Sequence, residues 1–228
     1  KGSNPAEAAR LNSIGIAMMN QQLTEKAAAE FAEAEAADPT AAIPVLNRGI
    51  ALLYQEKLGE AEQALRRAAQ MSPNDPRAWY SLGLAQMDEA EQQQALAEMQ
   101  HVLTLDPRDA DAHYFAAQLQ MSLGHIPEAI EEFHAALRID PNHASAEFGL
   151  ARALQRFGQQ QAAHAEVQKF QHLVNAKISS PLALGYGDRG HYSTMEEMPR
   201  PAQAAEPMIP VQFVPQRVMQ FAPSQVRQ

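Results

Sequence analysis

The side chains best suited to chemistry in this chain are its eight histidines and the carboxylates near them. Two histidines four residues apart on a helix would share a face and could bind a metal ion, but no pair has that spacing. Asp109, Asp111 and His113 alternate along one stretch, where acidic residues at the start of a helix complement the helix dipole. The sequence therefore predicts no metal site and no cofactor.

Other signatures of catalysis are also missing from the sequence. The chain has no cysteine, which excludes disulfides, thiolate metal sites and a cysteine nucleophile. It has no phosphate-binding loop and no nucleophile elbow. The run from Gly185 to Gly190 is too short for a dinucleotide site, and a tight turn explains its glycines equally well. We therefore predict that the chain is not an enzyme.

Prolines recur at a fixed spacing along the chain that carries these residues. Asp-Pro or Ser-Pro steps recur every 34 residues, at Pro39, Pro73, Pro107 and Pro141. Proline lacks the N–H donor and clashes with the preceding turn, so each step marks the end of a helix. Three sets of apolar residues keep the same register: Gly15, Gly49, Gly83 and Ala117; Ala27, Ala61, Ala95 and Ala129; Phe31, Leu65, Met99 and Phe133. The repeated unit is therefore a pair of packed helices.

This pattern resembles the tetratricopeptide repeat family, whose unit also spans 34 residues and closes with proline. The third unit matches best, through Trp79, Leu82, Gly83, Ala95 and Pro107. The resemblance covers residues 8–175 and implies an all-α superhelix, or solenoid, of four full repeats and a degenerate fifth helix pair that caps the array. An ordinary helical bundle is the alternative, but a bundle needs no fixed period. We assign residues 1–175 to the superhelix.

The composition changes at about residue 177, after which seven prolines and three glycines follow. Such a composition cannot sustain a long helix, so residues 176–228 are predicted to form an extended Pro-rich tail or linker. Within it, the cluster from Met208 to Phe221 is too hydrophobic for a purely solvating linker. The alternation at Val211 and Phe213 predicts a short strand at an edge position.

The charge distribution limits the partners. The formal net charge is −9, with −10 on residues 1–176 and +1 on the remainder. An acidic array repels phosphate backbones, and no stripe of basic residues offsets it, so nucleic acid is not a predicted partner. No stretch approaches the roughly 20 apolar residues of a membrane span.

The resemblance also identifies a candidate peptide-binding groove, because the first helix of each pair lines the concave face in this family. Asn47, Gln118 and the tyrosine hydroxyls could bond a peptide backbone there. About half of the set is expected to be exposed, since aromatic residues often pack between repeats. The predicted groove residues are Asn47, Ile50, Tyr54, Arg77, Tyr80, Leu84, Asp111, Tyr114, Gln118, Phe148 and Arg152.

The leading functional prediction is a protein-protein interaction scaffold whose concave face binds an extended segment. The segment would belong to a partner or to the chain's own tail, from Met208 to Phe221, acting within one molecule or between two. A self-assembling structural protein is a second possibility. The sequence leaves the identity of the partner open.

A third reading is a non-catalytic helical accessory region of a larger exported protein. The segment from Ser180 to Val211 resembles the link in bacterial exported proteins that join such repeats to an integrin-like (FG-GAP) propeller. Residues Val211 to Val214 would then begin the propeller. The chain starts Lys-Gly-Ser, so we expect its natural start to lie upstream. This resemblance favours an extracytoplasmic location over the cytoplasm but leaves the compartment undetermined.

Overall fold

The computed structural model of the protein describes residues 2–88, 90–183 and 185–199. In this part of the chain ten α-helices precede a single 3-10 turn, His191–Ser193. The apolar cluster from Met208 to Phe221 and the strand expected at Val211 to Val214 lie outside the described residues. The helices are α1 Pro5–Asn20, α2 Thr24–Ala37, α3 Ala42–Leu53, α4 Leu58–Met71, α5 Pro76–Asp88, α6 Gln92–Leu105, α7 Ala110–Ser122, α8 Ile126–Ile139, α9 Ala144–Arg156 and α10 Gln160–Asn175.

The ten helices form a superhelix of five pairs. Each helix packs against the next along the chain, and α1 also contacts α3, α3 contacts α5, and α7 contacts α9. The first helices of successive pairs are thus neighbours, and they lie on the inner, concave face of the array. The fifth pair, α9 and α10, closes the array with exposed glutamines at positions 155, 159, 160 and 161. This is the predicted fold of four repeats and a capping pair.

The proline steps end the second helix of each of the first four pairs, as predicted. The helix α6, for example, ends at Leu105, and the N–H of Asp106 still bonds to the Val102 carbonyl at 2.8 Å. The Asp106 carboxylate then accepts the Arg108 N–H at 3.0 Å, which turns the chain toward α7. The other three second helices end at Ala37, Met71 and Ile139.

The turn inside each pair also repeats. One residue in each turn adopts a positive φ, the left-handed conformation that favours glycine. These residues recur every 34 positions, and they are Gln22, Glu56, Ala90, Gly124 and Gly158.

Close approach of the two helices depends on a small residue in the first helix. A Cβ at Gly49 would lie 2.7 Å from Leu65 Cγ and 3.2 Å from the Leu65 backbone nitrogen. At the equivalent place in the first repeat, a Cβ on Gly15 would lie 2.5 Å from the Phe31 ring. The large partners are fully buried, and they are Phe31, Leu65, Met99 and Phe133.

We predict that a side chain at Gly49 lowers the free energy of unfolding. Gly49→Ala should unfold at lower urea than Gly83→Ala, with a difference of about 1 kcal/mol in the free energy of unfolding, because overpacking costs about 1–3 kcal/mol. The Gly83→Ala variant is the matched control, since both gain the same helix propensity and its Cβ would meet only the terminal methyl of Met99 closely, at 2.9 Å. Equal midpoints for the two variants would contradict the packing described here.

An acidic pair joins the two helices of the fifth repeat. In the fourth repeat, His113 on α7 pairs with Glu132 on α8 at 2.6 Å. The residues 34 positions later are Glu147 and Glu166, so the fifth repeat has two neighbouring carboxyl groups at the place where the fourth repeat has an ion pair. Burial, and then the neighbouring Glu166, raise the pKa of Glu147 to about 7. The fifth repeat therefore loses stability when Glu147 ionises.

This pair predicts how stability depends on pH. The pKa of Glu147 is about 7 in the folded chain against an ordinary value of 4.5, so the folded state holds the extra proton between these values. Stability should therefore fall as pH rises from 4.5 to about 7, and Glu147→Gln should become increasingly more stable than the wild type across that window. Urea unfolding from pH 4 to pH 8 measures this, with the exposed Glu131→Gln as control. The prediction fails if both variants track the wild type at every pH.

Candidate functional site

The concave face is occupied by the chain itself. After α10 the chain turns back, and residues 181–183 and 185–198, which we call the strap, lie along the inner helices. The Leu182 N–H donates to Ser145 Oγ on α9 at 2.8 Å, and the Tyr186 ring packs edge-on against Tyr54 on α3 at 5.5 Å. Further contacts reach α1, α5 and α7. The strap thus contacts the first helix of every repeat.

The side-chain amide of Asn47 pairs with both backbone polar groups of one strap residue, Glu196. Its Nδ2 donates to the Glu196 carbonyl at 2.7 Å, and its Oδ1 accepts the Glu196 N–H at 2.9 Å. The neighbouring Asn12 also donates to the Glu196 carbonyl, at 3.0 Å, and accepts from Asn47 at 2.8 Å. Both asparagines are fully buried. Within the strap the two amides contact only backbone atoms, and the Glu196 side chain pairs separately with Arg77.

Arg189 is held by an ion pair and through its own carbonyl. Its guanidinium binds both carboxylate oxygens of Asp88, at 2.7 and 3.0 Å, and its side chain is 8% exposed. Its carbonyl accepts the hydroxyl of Tyr80 at 2.7 Å. Tyr80 is fully buried, and this burial raises the pKa of its hydroxyl well above the ordinary value. The hydroxyl therefore remains a hydrogen-bond donor.

Gly190 passes so close to the groove that it has no room for a side chain. Its φ is +106°, and a Cβ there would lie 2.8 Å from the Asp111 Cβ and closer still to the Tyr80 hydroxyl. The next N–H, of His191, donates to Asp111 Oδ2 at 2.9 Å. Burial alone would raise the pKa of Asp111, but bonds from His143 and the His191 N–H outweigh it and lower the pKa. Asp111 is therefore an ionised acceptor for the strap backbone.

Tyr192 contacts the groove through its side chain. Its hydroxyl donates to Asp106 Oδ2 at 2.8 Å, and its ring packs edge-on against Tyr80 at 6.0 Å. Burial, and then the bond to Asp106, raise the pKa of Tyr192 to about 12. The same bond lowers the pKa of Asp106. The Asp-Pro step that ends α6 thus also contributes an acceptor to the site.

Residues 6–187 match the family described as protein kinase G tetratricopeptide repeat. The chain belongs to this tetratricopeptide repeat family. Family membership and fold indicate a protein-interaction scaffold, and the fold is generally a non-catalytic one. No curated protein matches the sequence.

Solved structures of tetratricopeptide repeat proteins share the fold. A crystal structure of MamA is 22% identical, with a TM-score of 0.67, and the match covers 72% of this chain and 96% of MamA. MamA from Desulfovibrio magneticus RS-1 is 20% identical, with a TM-score of 0.71 and coverage of 77% and 100%. YrrB, described as a TPR protein with an unusual peptide-binding site, is 20% identical, with a TM-score of 0.63 and coverage of 77% and 94%. The resemblance to repeat regions of exported propeller proteins is not tested by these matches and stays a prediction.

The predicted groove residues of this tetratricopeptide repeat protein fall into three groups. Ile50 and Leu84 are buried in the hydrophobic core, against which strap side chains such as Tyr192 also pack. Phe148 and Arg152 are exposed and, with Tyr114, Gln118 and Leu182, line a cavity of about 330 Å³ at the α9 end. The remaining five contact the strap directly, and they are Asn47, Tyr54, Arg77, Tyr80 and Asp111.

Fewer groove residues are exposed than expected, because the strap covers much of the concave face. About half of the eleven were expected to be exposed, but only Phe148 and Arg152 are. The covering segment also lies upstream of the apolar cluster that was predicted to enter the groove. The glycine run forms the expected turn, in which the Asp188 N–H donates to the Gly185 carbonyl at 3.0 Å. Its last glycine, Gly190, in addition touches the groove.

The sequence analysis missed several strap contacts, although the 34-residue register points to four of them. Ser145 is equivalent to Asp111 and Arg77, and Asp88 is equivalent to Tyr54. Asn12 is equivalent to Tyr80, and Ser13 is equivalent to Asn47. The register does not point to Asp106, and the end of α6 was already a sufficient reason for an aspartate at this position. The missed residues are Asn12, Ser13, Asp88, Asp106 and Ser145.

The acidic and histidine side chains at the start of α7 serve separate roles. Asp109 caps the helix by accepting the Ala112 N–H, and burial raises its pKa to about 6. His113 bonds instead to Glu132. Among residues 2–88, 90–183 and 185–199, no three or more His, Asp or Glu side chains cluster as metal ligands would. In the same part of the chain, no helix has the length and apolar character needed to span a bilayer.

We predict that a side chain at Gly190 weakens the binding of the strap to the groove. Gly190→Ala should loosen the strap, because the added Cβ clashes with the groove and because a φ of +106° with a ψ of 171° is a conformation used almost only by glycine, which costs about 1–3 kcal/mol for other residues. Limited trypsin digestion measures this as cleavage after Arg189, which should accelerate about tenfold relative to cleavage after the exposed Lys177. Thr194→Ala, at an exposed strap position, is the control. Unchanged cleavage in Gly190→Ala would mean that the strap is not held at this point.

Proposed function

We propose that the concave face binds an extended peptide segment of a partner protein, and that the strap occupies this site in the free chain. The observation that carries the proposal is the pairing of the Asn47 amide with the N–H and carbonyl of Glu196, at 2.9 and 2.7 Å. A side-chain amide that binds both the N–H and the carbonyl of one residue recognises the peptide backbone itself. The site is therefore suited to peptides as a class.

Two further backbone contacts extend this recognition along the groove. Tyr80 donates to the Arg189 carbonyl and Asp111 accepts the His191 N–H. A guest segment of similar length can satisfy the same three positions with its own backbone. Asn47 and Tyr80 are fully buried beneath the strap, and there the strap backbone satisfies both side chains. The backbone of a guest segment can make the same hydrogen bonds when it replaces the strap.

Relatives with this fold support the proposal in a general way. YrrB is described as a tetratricopeptide repeat protein with an unusual peptide-binding site. In this chain the site lies on the inner helices, where a solenoid offers its largest continuous surface. The tethered strap has an effective concentration on the order of millimolar, so it competes with any free peptide. Binding of a partner should therefore require displacement of the strap.

A charge reversal in the strap tests the proposal in the full chain. Arg189→Glu places a carboxylate against Asp88 and should release the strap, since like charges in a buried site repel. Calorimetric titration with a synthetic peptide of residues 185–198 should then show saturable binding, with much weaker binding to the wild type. Adding Asn47→Ala to the released chain should weaken binding about tenfold, because each lost hydrogen bond contributes about 1 kcal/mol.

Controls make the outcome specific. Gln159→Ala, at an exposed position of the capping pair, should leave binding to the released chain unchanged. A peptide of residues 205–228 in the same titration tests the prediction that the apolar tail is a groove ligand. If the released chain keeps its helical circular dichroism and binds no peptide of residues 185–198, the proposal is wrong.

A further inference from the structure

The strap contacts suggest which partner segments the groove accepts. We infer that the groove selects segments in which an Arg-Gly pair is followed, two residues after the glycine, by a tyrosine. This inference rests on the proposed function and adds the chemistry of the partner to it. Three positions within four consecutive strap residues carry it, namely Arg189, Gly190 and Tyr192.

The first position requires a planar cation. Asp88 receives two parallel N–H bonds from Arg189, at 2.7 and 3.0 Å, and the arginine side chain is 8% exposed. A lysine ammonium is a point charge and cannot form this paired geometry, so lysine should bind less well. The carbonyl of the same residue must also reach the Tyr80 hydroxyl. The groove thus contacts both the side chain and the backbone carbonyl of the residue at this position.

The second position excludes every side chain. Gly190 combines a φ of +106° with direct contact to Tyr80 and Asp111, so a Cβ is opposed by both backbone conformation and space. Either constraint alone would favour glycine. Together they make this position the strictest in the strap.

The third position combines a ring with a hydroxyl. Tyr192 places its ring against Tyr80 and donates to Asp106 at 2.8 Å. A phenylalanine would keep the ring contact but lose the hydrogen bond to Asp106. Because that carboxylate is only half-buried, water could replace the lost donor. We therefore expect a smaller preference here than at the two preceding positions.

Charge complementarity supports a cationic segment and fixes its direction. Four aspartates lie at or beside the strap in this region, namely Asp88, Asp106, Asp109 and Asp111. The sign reverses at the other end of α5 from Asp88, where Arg77 pairs with the Glu196 carboxylate at 2.6 Å. A partner segment should therefore carry its arginine before its acidic residue along the chain. A segment in the reverse order would place like charges together at both ends.

A peptide panel tests this inference on the Arg189→Glu full chain. Fluorescence anisotropy would compare the labelled peptide of residues 185–198 with three altered peptides, carrying Arg189→Lys, Gly190→Ala or Tyr192→Phe. We expect affinity losses of about tenfold or more for the first two and about threefold for the third. The matched control peptide carries Thr194→Ala, an exposed strap position, and should bind within about twofold of the parent.

A charge swap gives a readout that misfolding cannot imitate. Asp88→Arg in the full chain also releases the strap, because it faces Arg189 with a like charge. This chain should prefer a peptide carrying Arg189→Glu over the parent peptide, by about tenfold, and so reverse the order seen with Asp88 present. A chain that had lost its fold would show no preference.

The possible outcomes distinguish a failure of this inference from a failure of the proposed function. Binding of the parent peptide with the expected losses and the reversed preference supports the inference. Equal binding of all peptides, or no reversal in Asp88→Arg, overturns the inference and leaves a groove that binds peptides without selecting them. If neither released chain binds any peptide while both remain helical, the proposed function fails and the inference fails with it.

Discussion

The two helices of each repeat can approach closely only where the first helix carries a small residue, and the remaining structure depends on this contact. At Gly49 a single added carbon would meet both the side chain and the backbone nitrogen of Leu65. Because the contact recurs every 34 residues, the pairs stack in a constant orientation and the first helices become neighbours. Residues 34 positions apart then lie on adjacent helices of the concave face. Arg77, Asp111 and Ser145 are one such set, and each binds a different part of the strap.

The strap is held by many polar contacts as well as by apolar packing of residues such as Met195, and the polar contacts suit a segment that can be exchanged. They include the Asn47 amide, the Tyr80 hydroxyl and the paired bonds from Arg189 to Asp88. A neutral bond contributes about 0.5–1.5 kcal/mol to stability and a charged one about 1.5–3 kcal/mol, so no single contact fixes the strap permanently. The cavity beside Phe148 and Arg152 remains open at the α9 end. A guest segment thus has an accessible surface from which it could begin to replace the strap.

The fold could be predicted because its determinants are local and repeated. The proline steps and the small-residue register predicted the helix pairs, and the structure confirms both. The occupant of the groove could not be identified in the same way. Hydrophobicity pointed to the segment from Met208 to Phe221, whereas the strap is recognised largely through backbone groups and two ion pairs, which leave little trace in composition. Gly190 illustrates the difference, since its glycine is equally consistent with a turn until its contact with Tyr80 is known.

The strap lies in the groove, and we propose that a peptide can replace it. Amide hydrogen exchange in the wild-type chain, followed by NMR at His191 and Glu196, measures this replacement, because both N–H groups bond to side chains of the groove. We expect both amides to be protected in the free chain and to lose protection when an excess of the peptide of residues 185–198 is added. Amides that exchange freely in the free chain, or that stay protected while the peptide binds, would contradict this account.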